Sequence, residues 1–275
     1  MEPSAGGRRL RLATGLTTTV SDDGGGDGDG SSPVLLLHGW AGSRRSFAAL
    51  LPLLSRRMRV LSLDLRGHGD ADKPATGYDL GTLAADVVAT LDALEIPHAV
   101  LVGASSGGYV AQQVAVTAPE RVAALVLAGS PRDLRGRPPF AGELERISDP
   151  VEPAWARSFT AGFTDLDRLP SWYVDLMVDD ALRLPAAIWT ATLHGLTTSP
   201  PPTDIGVIRA PTLVISGGRD GLLGREQTAD LVSAIPGAQW IEYPDTGHLV
   251  LEEQPAQLAA DVLNFLAELP EDGAP

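Results

Sequence analysis

The 275-residue chain has no cysteine. That excludes thiol nucleophiles, disulfides and thiolate metal sites. Lys73 is its one lysine, and the formal net charge is −14 at pH 7. A basic face for nucleic acid or anionic lipid is not expected, because phosphate is repelled on average. No apolar run approaches the roughly 20 residues of a membrane helix. The opening "MEPSAGGRRLRLATG" has no apolar stretch of the kind a secretory signal needs. A soluble, cytoplasmic protein with no membrane partner is the expectation. Aromatic residues make up 5%, so the place where they gather carries information.

What is present is 44% hydrophobic content, enough to bury a substantial core. "RRLRLA" and "LTTTV" predict a hairpin. The Gly/Asp-rich run 21–32, "SDDGGGDGDGSS", has nothing to bury and predicts a flexible loop. It lacks the glutamate expected at the twelfth position of a calcium loop, and no metal site is expected there. Short apolar runs then alternate with helical patterns. Strands are predicted at 33–37, 58–64, 99–103 and 121–129, and helices at 43–57, 80–96 and 107–119. Pro52 sits awkwardly in the first of these helices. Asp79 can cap the second. This alternation means a mostly parallel sheet covered on both faces, an α/β fold.

Between 131 and 208 the alternation stops, and prolines and helical fragments replace strands. Half of the chain's aromatics lie here. A strand, a helix, a strand and a helix follow, from "APTLVISGG" to "PAQLAADVLNFLAEL". The expected organisation is a core of residues 1–130 and 209–275, interrupted by a helical cap at 131–208.

Active sites of open α/β sheets form beyond the carboxyl ends of the strands. His38-Gly39-Trp40 follows the first core strand, and Ala104-Ser105-Ser106-Gly107 follows the third. Arg219-Asp220 and Asp245-Thr246-Gly247-His248 follow the last two. Ser105 is framed by Gly103 and Gly107. A strand that reverses sharply into a helix around a serine needs small residues at those two crowded places. Asp133, after "LVLAGSP", is an alternative acid, and Asp245 is too near His248 along the chain to face it.

"LLLHGW", "LDLRGHG", "VLVGASSGG", "PTLVISGGRD" and "GHLVLEEQP" together resemble the α/β-hydrolase superfamily over about residues 33–130 and 210–269. "KPATGYDLGTLAADVVATLDAL" looks like its cofactor-free haloperoxidases, esterases and lactonases. The resemblance implies the α/β-hydrolase fold and no cofactor. It implies Ser105 as nucleophile, His248 as base and Asp220 as its orienting acid. It also implies an oxyanion hole made by the backbone N–H groups of Trp40 and Ser106. The expected activity is hydrolysis of a bulky, mostly apolar carboxylic ester or lactone. Perhydrolysis and carbon–carbon bond hydrolysis use the same three residues. A ligand-binding receptor on this fold is the alternative outside catalysis. Candidate pocket residues are Trp40, Tyr109, Trp155, Phe159, Trp172, Trp189 and His194. The expected partner is a small-molecule substrate, and the chain is expected to be a monomer or a homodimer.

Overall fold

A computed structural model describes residues 6–24, 32–136, 138 and 140–269. Eight strands form one sheet: β1 Arg8–Arg11, β2 Thr17–Asp23, β3 Val34–Leu37, β4 Val60–Leu63, β5 Ala99–Ala104, β6 Val122–Ala128, β7 Thr212–Gly217 and β8 Gln239–Tyr243. Their order across the sheet is β1-β2-β4-β3-β5-β6-β7-β8. The hairpin β1–β2 and the pair β2–β4 are antiparallel, and every other pair is parallel. The reading of 21–32 as a loop is corrected at its start. Ser21, Asp22 and Asp23 belong to β2, opposite Ser62, Leu61 and Val60. An ion pair from Arg59 to Asp22, 2.7 Å long, crosses these strands. Residues 25–31 of that reading lie outside the described residues.

The period-2 pattern of the central strands divides the core. Leu35, Leu37, Leu101, Leu125 and Leu127 cluster with Leu83, Val87, Val110 and Val114. These last four come from helices α2 (Leu80–Ala93) and α3 (Ser106–Thr117), which follow the short α1 (Leu51–Leu54). Leu36, Val100, Val102, Val126 and Ile215 turn to the other face, onto Phe47, Leu258, Val262 and Phe265. Each large side chain buried in this way contributes about 1.5–3 kcal/mol. The helix expected over 43–57 is instead broken. A 3-10 turn at Arg44–Phe47, capped by Ser43, precedes α1. Pro52 has no N–H to continue a helix from the residues before it, so it occupies the first turn of a new one.

After β6 come α4 (Ala141–Leu144), α5 (Pro153–Ala161), α6 (Ser171–Leu182), α7 (Ala186–Thr198) and α8 (Pro202–Ile205). No strand interrupts them among the described residues. The chain then returns as β7, the direct neighbour of β6, with Leu125 opposite Thr212. Asp204 near the end of this insert pairs with Arg132 (2.6 Å) and Arg135 (3.3 Å) at its beginning. Helices α9 (Arg225–Ala234), α10 (Val250–Glu253) and α11 (Pro255–Ala267) complete the chain. Among the described residues, no helix is long and apolar enough to cross a membrane.

Candidate active site

Ser105 is the hinge between β5 and α3, with φ 49° and ψ −121°. An L-residue with positive φ stores about 1–3 kcal/mol of strain and must be held by its surroundings. The hold is visible. The Ser105 N–H donates to the Ala128 carbonyl of β6 at 2.8 Å. The two flanking glycines are obligatory. A Cβ on Gly103 would lie 2.4 Å from Gly108 Cα, and one on Gly107 would lie 2.1 Å from the Leu37 carbonyl oxygen.

Asp220 and His248 reach this serine from the loops after β7 and β8. Ser105 Oγ is 2.9 Å from His248 Nε2, and His248 Nδ1 is 2.8 Å from Asp220 Oδ2. A carboxylate accepts only, so Nδ1 carries the proton and Nε2 is left to accept from the serine hydroxyl. The second Asp220 oxygen accepts from the N–H groups of Leu222 and Leu223, each at 2.8 Å. The histidine and aspartate side chains are buried, at 3% and 1% exposure. The alternative acid, Asp133, is instead paired with Arg135, and Asp245 is paired with Arg219 at the surface.

Glu253 supports the histidine loop and was not anticipated from the sequence. Its carboxylate accepts from the Gly247 N–H at 3.1 Å and from Thr164 Oγ1 at 2.9 Å, and Arg168 stands 3.5 Å away. The loop that carries His248 is thus fastened to the insert. His38 and His68 are structural. His38 Nε2 accepts from the Leu65 N–H at 3.0 Å. Burial, then the neighbouring His38, pushes His68 down to about 3, so it stays neutral.

A cavity of about 160 Å³ opens on Ser105 and His248. Its wall is aromatic and aliphatic. Trp40, Phe159 and Trp189 line it as expected, and Phe140 and Phe163 join them. The Trp40 ring stacks on Phe140 at 5.6 Å and meets Trp189 edge-on at 5.1 Å. Its Nε1–H donates to Thr192 Oγ1 at 2.8 Å. Trp155 stands behind the wall, stacked on Phe159 at 5.1 Å.

Besides Trp155, three more expected pocket residues do not line the cavity. Tyr109 is fully buried in the core beneath the elbow. Trp172 is 48% exposed, because Tyr173, one position on, takes the inward direction of α6. His194 is exposed. Trp189, Leu193 and Leu196 set the inward face of α7, and His194 falls outside that stripe. The aromatic count pointed to this region, but only helix phase decides which ring turns inward.

Trp40 and Ser106 line the cavity together with Ser105. Ser106 is the first residue of α3, so its N–H has no acceptor within the helix. Trp40 N–H makes no backbone hydrogen bond among the described residues.

Comparison with known proteins follows the same lines. A model of the alpha/beta hydrolase family matches residues 34–261. The chain is 31% identical to a 2-hydroxymuconate semialdehyde hydrolase of Pseudomonas putida, over 95% of this chain and 94% of the relative. It is 29% identical, over 87% of its length, to the dihydrolipoyllysine-residue acetyltransferase component of an acetoin cleaving system of the same species, and spans 64% of that longer protein. Its fold is similar to that of the enol-lactonase from Burkholderia xenovorans LB400, with a TM-score of 0.86 at 22% identity, covering 95% of this chain and all of the other. With residues 34–261 accounted for, the chain belongs to the alpha/beta hydrolase family.

Proposed function

We propose that the protein is a serine hydrolase that cleaves a carboxylic ester or lactone of a bulky, mostly apolar substrate. The observation that carries this reading is the continuous relay from Ser105 through His248 to Asp220, opening on an apolar cavity. Ser105 Oγ attacks the carbonyl carbon while His248 Nε2 takes the hydroxyl proton. The negative charge that develops on the carbonyl oxygen meets the N–H groups of Trp40 and Ser106. Such donors are worth roughly 2.7–4 kcal/mol each where one has been removed. The leaving alcohol takes the proton from His248, and in a lactone it stays tethered. An acyl group then remains on Ser105. Water attacks it, gives its proton to His248, and the serine is regenerated. Asp220 holds the ring and stabilises its cationic form.

We read residues 131–208 as a cap whose rings exclude water from this chemistry, which strengthens the electrostatics beneath it. Carbon–carbon bond hydrolysis is the second reading. It is favoured by the 31% identity to a 2-hydroxymuconate semialdehyde hydrolase, and it needs the same relay. A fluorophosphonate should label Ser105 in the native protein and not in Ser105→Ala. A folded protein that resists labelling and turns over no ester, no lactone and no 2-hydroxymuconate semialdehyde would overturn both readings. A single trapped adduct without multiple turnover would favour a receptor.

A further inference from the structure

The cavity wall contains two ionisable side chains among the described residues, His248 and Glu252, and no lysine or arginine. Glu252 comes four residues after His248, on α10. Its neighbour Glu253 points to the loop and is taken up by Gly247, Thr164 and Arg168. Glu252 is half-buried and faces the cavity. No side chain among the described residues bonds to it. The titratable groups around it are Glu253 on its own helix, Tyr173 from α6 and His248 across the wall. None is a fixed cation. Burial, and then Glu253, pushes the Glu252 carboxyl up to about 8. At neutral pH it therefore holds its proton and can both donate and accept.

We propose that Glu252 reads the substrate, its carboxyl group hydrogen-bonding a polar group (carbonyl, hydroxyl or ether) on the part of the ester or lactone away from the scissile bond. The proposal rests on the hydrolase reading above. The scissile carbonyl has its own partners in Ser105 and the two amides, so Glu252 is left for a second polar group. A purely hydrocarbon substrate leaves the acid without a partner in an apolar wall, which costs binding. An anionic tail finds no arginine or lysine to receive it.

The test uses the full chain and two esters of equal length, one ending in a methyl ketone and one in a plain alkyl group. The wild type should prefer the ketone in kcat/KM. Glu252→Leu should lose that preference by roughly 10–100-fold, mostly through KM, and gain on the alkyl ester. Glu252→Gln, which still donates, should retain it. The wild-type KM for the ketone should rise above pH about 8, whereas that of Glu252→Gln should stay flat. Equal effects of Glu252→Leu on both esters would overturn the proposal. So would a preference for an ammonium-tailed ester that Glu252→Gln abolishes, since that marks an ion pair. Fluorophosphonate labelling of Ser105 separates the two levels. Labelling without ester discrimination removes the role of Glu252 alone, and failure to label the wild type removes the hydrolase reading with it.

Discussion

Strands β3 and β5–β7 bury almost every side chain on both faces. The insert buries a small cluster around Phe159 and Trp189, and ion pairs hold its rim. Arg45 reaches Asp179 and Asp180 on α6, and Arg183 reaches Asp70. The sheet edge carries Ser105, Asp220 and His248, and the insert contributes Phe140, Phe159, Phe163 and Trp189 to the cavity wall beside them. Damage to one should therefore appear as lost turnover or lost folding, and damage to the other as altered selectivity or local loosening.

The largest break in that contrast is Ser105→Ala. Turnover should fall by about 10⁴-fold or more with the fold retained, checked by steady-state kinetics beside a melting curve. Ser106→Ala keeps its backbone N–H and should keep much of the activity. Full activity in Ser105→Ala would move the nucleophile elsewhere. Gly107→Ala strikes the contact between the start of α3 and the end of β3. The new methyl meets the Leu37 and His38 carbonyls, which no rotamer change relieves. The cost should exceed about 3 kcal/mol, beyond ordinary overpacking, in chemical denaturation.

Arg45→Ala tests the insert's fastening. Asp180 is 1% exposed and would keep only Ser43, whose hydroxyl donates at 2.7 Å. The expected loss is about 2–3 kcal/mol at pH 7. That is below the ~3–5 kcal/mol of a fully sealed pair, because the lone carboxyl can take up a proton. Burial already raises the Asp180 pKa. A raised carboxyl releases its proton earlier in the unfolded chain, so stability falls as pH rises through the folded value. The deficit of Arg45→Ala should therefore shrink as pH falls below 7, and a pH-independent deficit would contradict this account. Arg183→Ala removes a pair exposed on both sides, at 33% and 39%. It should change stability by less than about 1 kcal/mol and weaken further in salt.

The same contrast explains what could be read beforehand. The sheet was legible because strand burial imposes a period, and because Ser105 needs Gly103 and Gly107 at fixed offsets. Serine, acid and histidine follow three different strands, in that order along the chain, and these are the residues that meet in the relay. Inside the insert no such rule applies. Whether Trp172 or Tyr173 faces inward depends on how α6 seats against the turn at Ser43–Phe47, a tertiary fact. Tyr109 is four residues from Ser105 in the sequence, but helix α3 turns it into the core. Glu252 and Glu253 look alike in "LEEQP"; only their directions distinguish them. The broken helix at 43–57 was signalled by Pro52, though its periodicity argued the other way.

The clasp from Asp204 to Arg132 and Arg135 has an engineering consequence. It ties the insert's two feet to each other where the chain leaves and rejoins adjacent strands. The insert is in that sense a cassette with its own clip. A foreign segment of different length, grafted between these feet, would inherit the attachment points without asking β6 or β7 to change register. Such a graft would have to keep Thr164 and Arg168, because they hold Glu253 against the loop that carries His248.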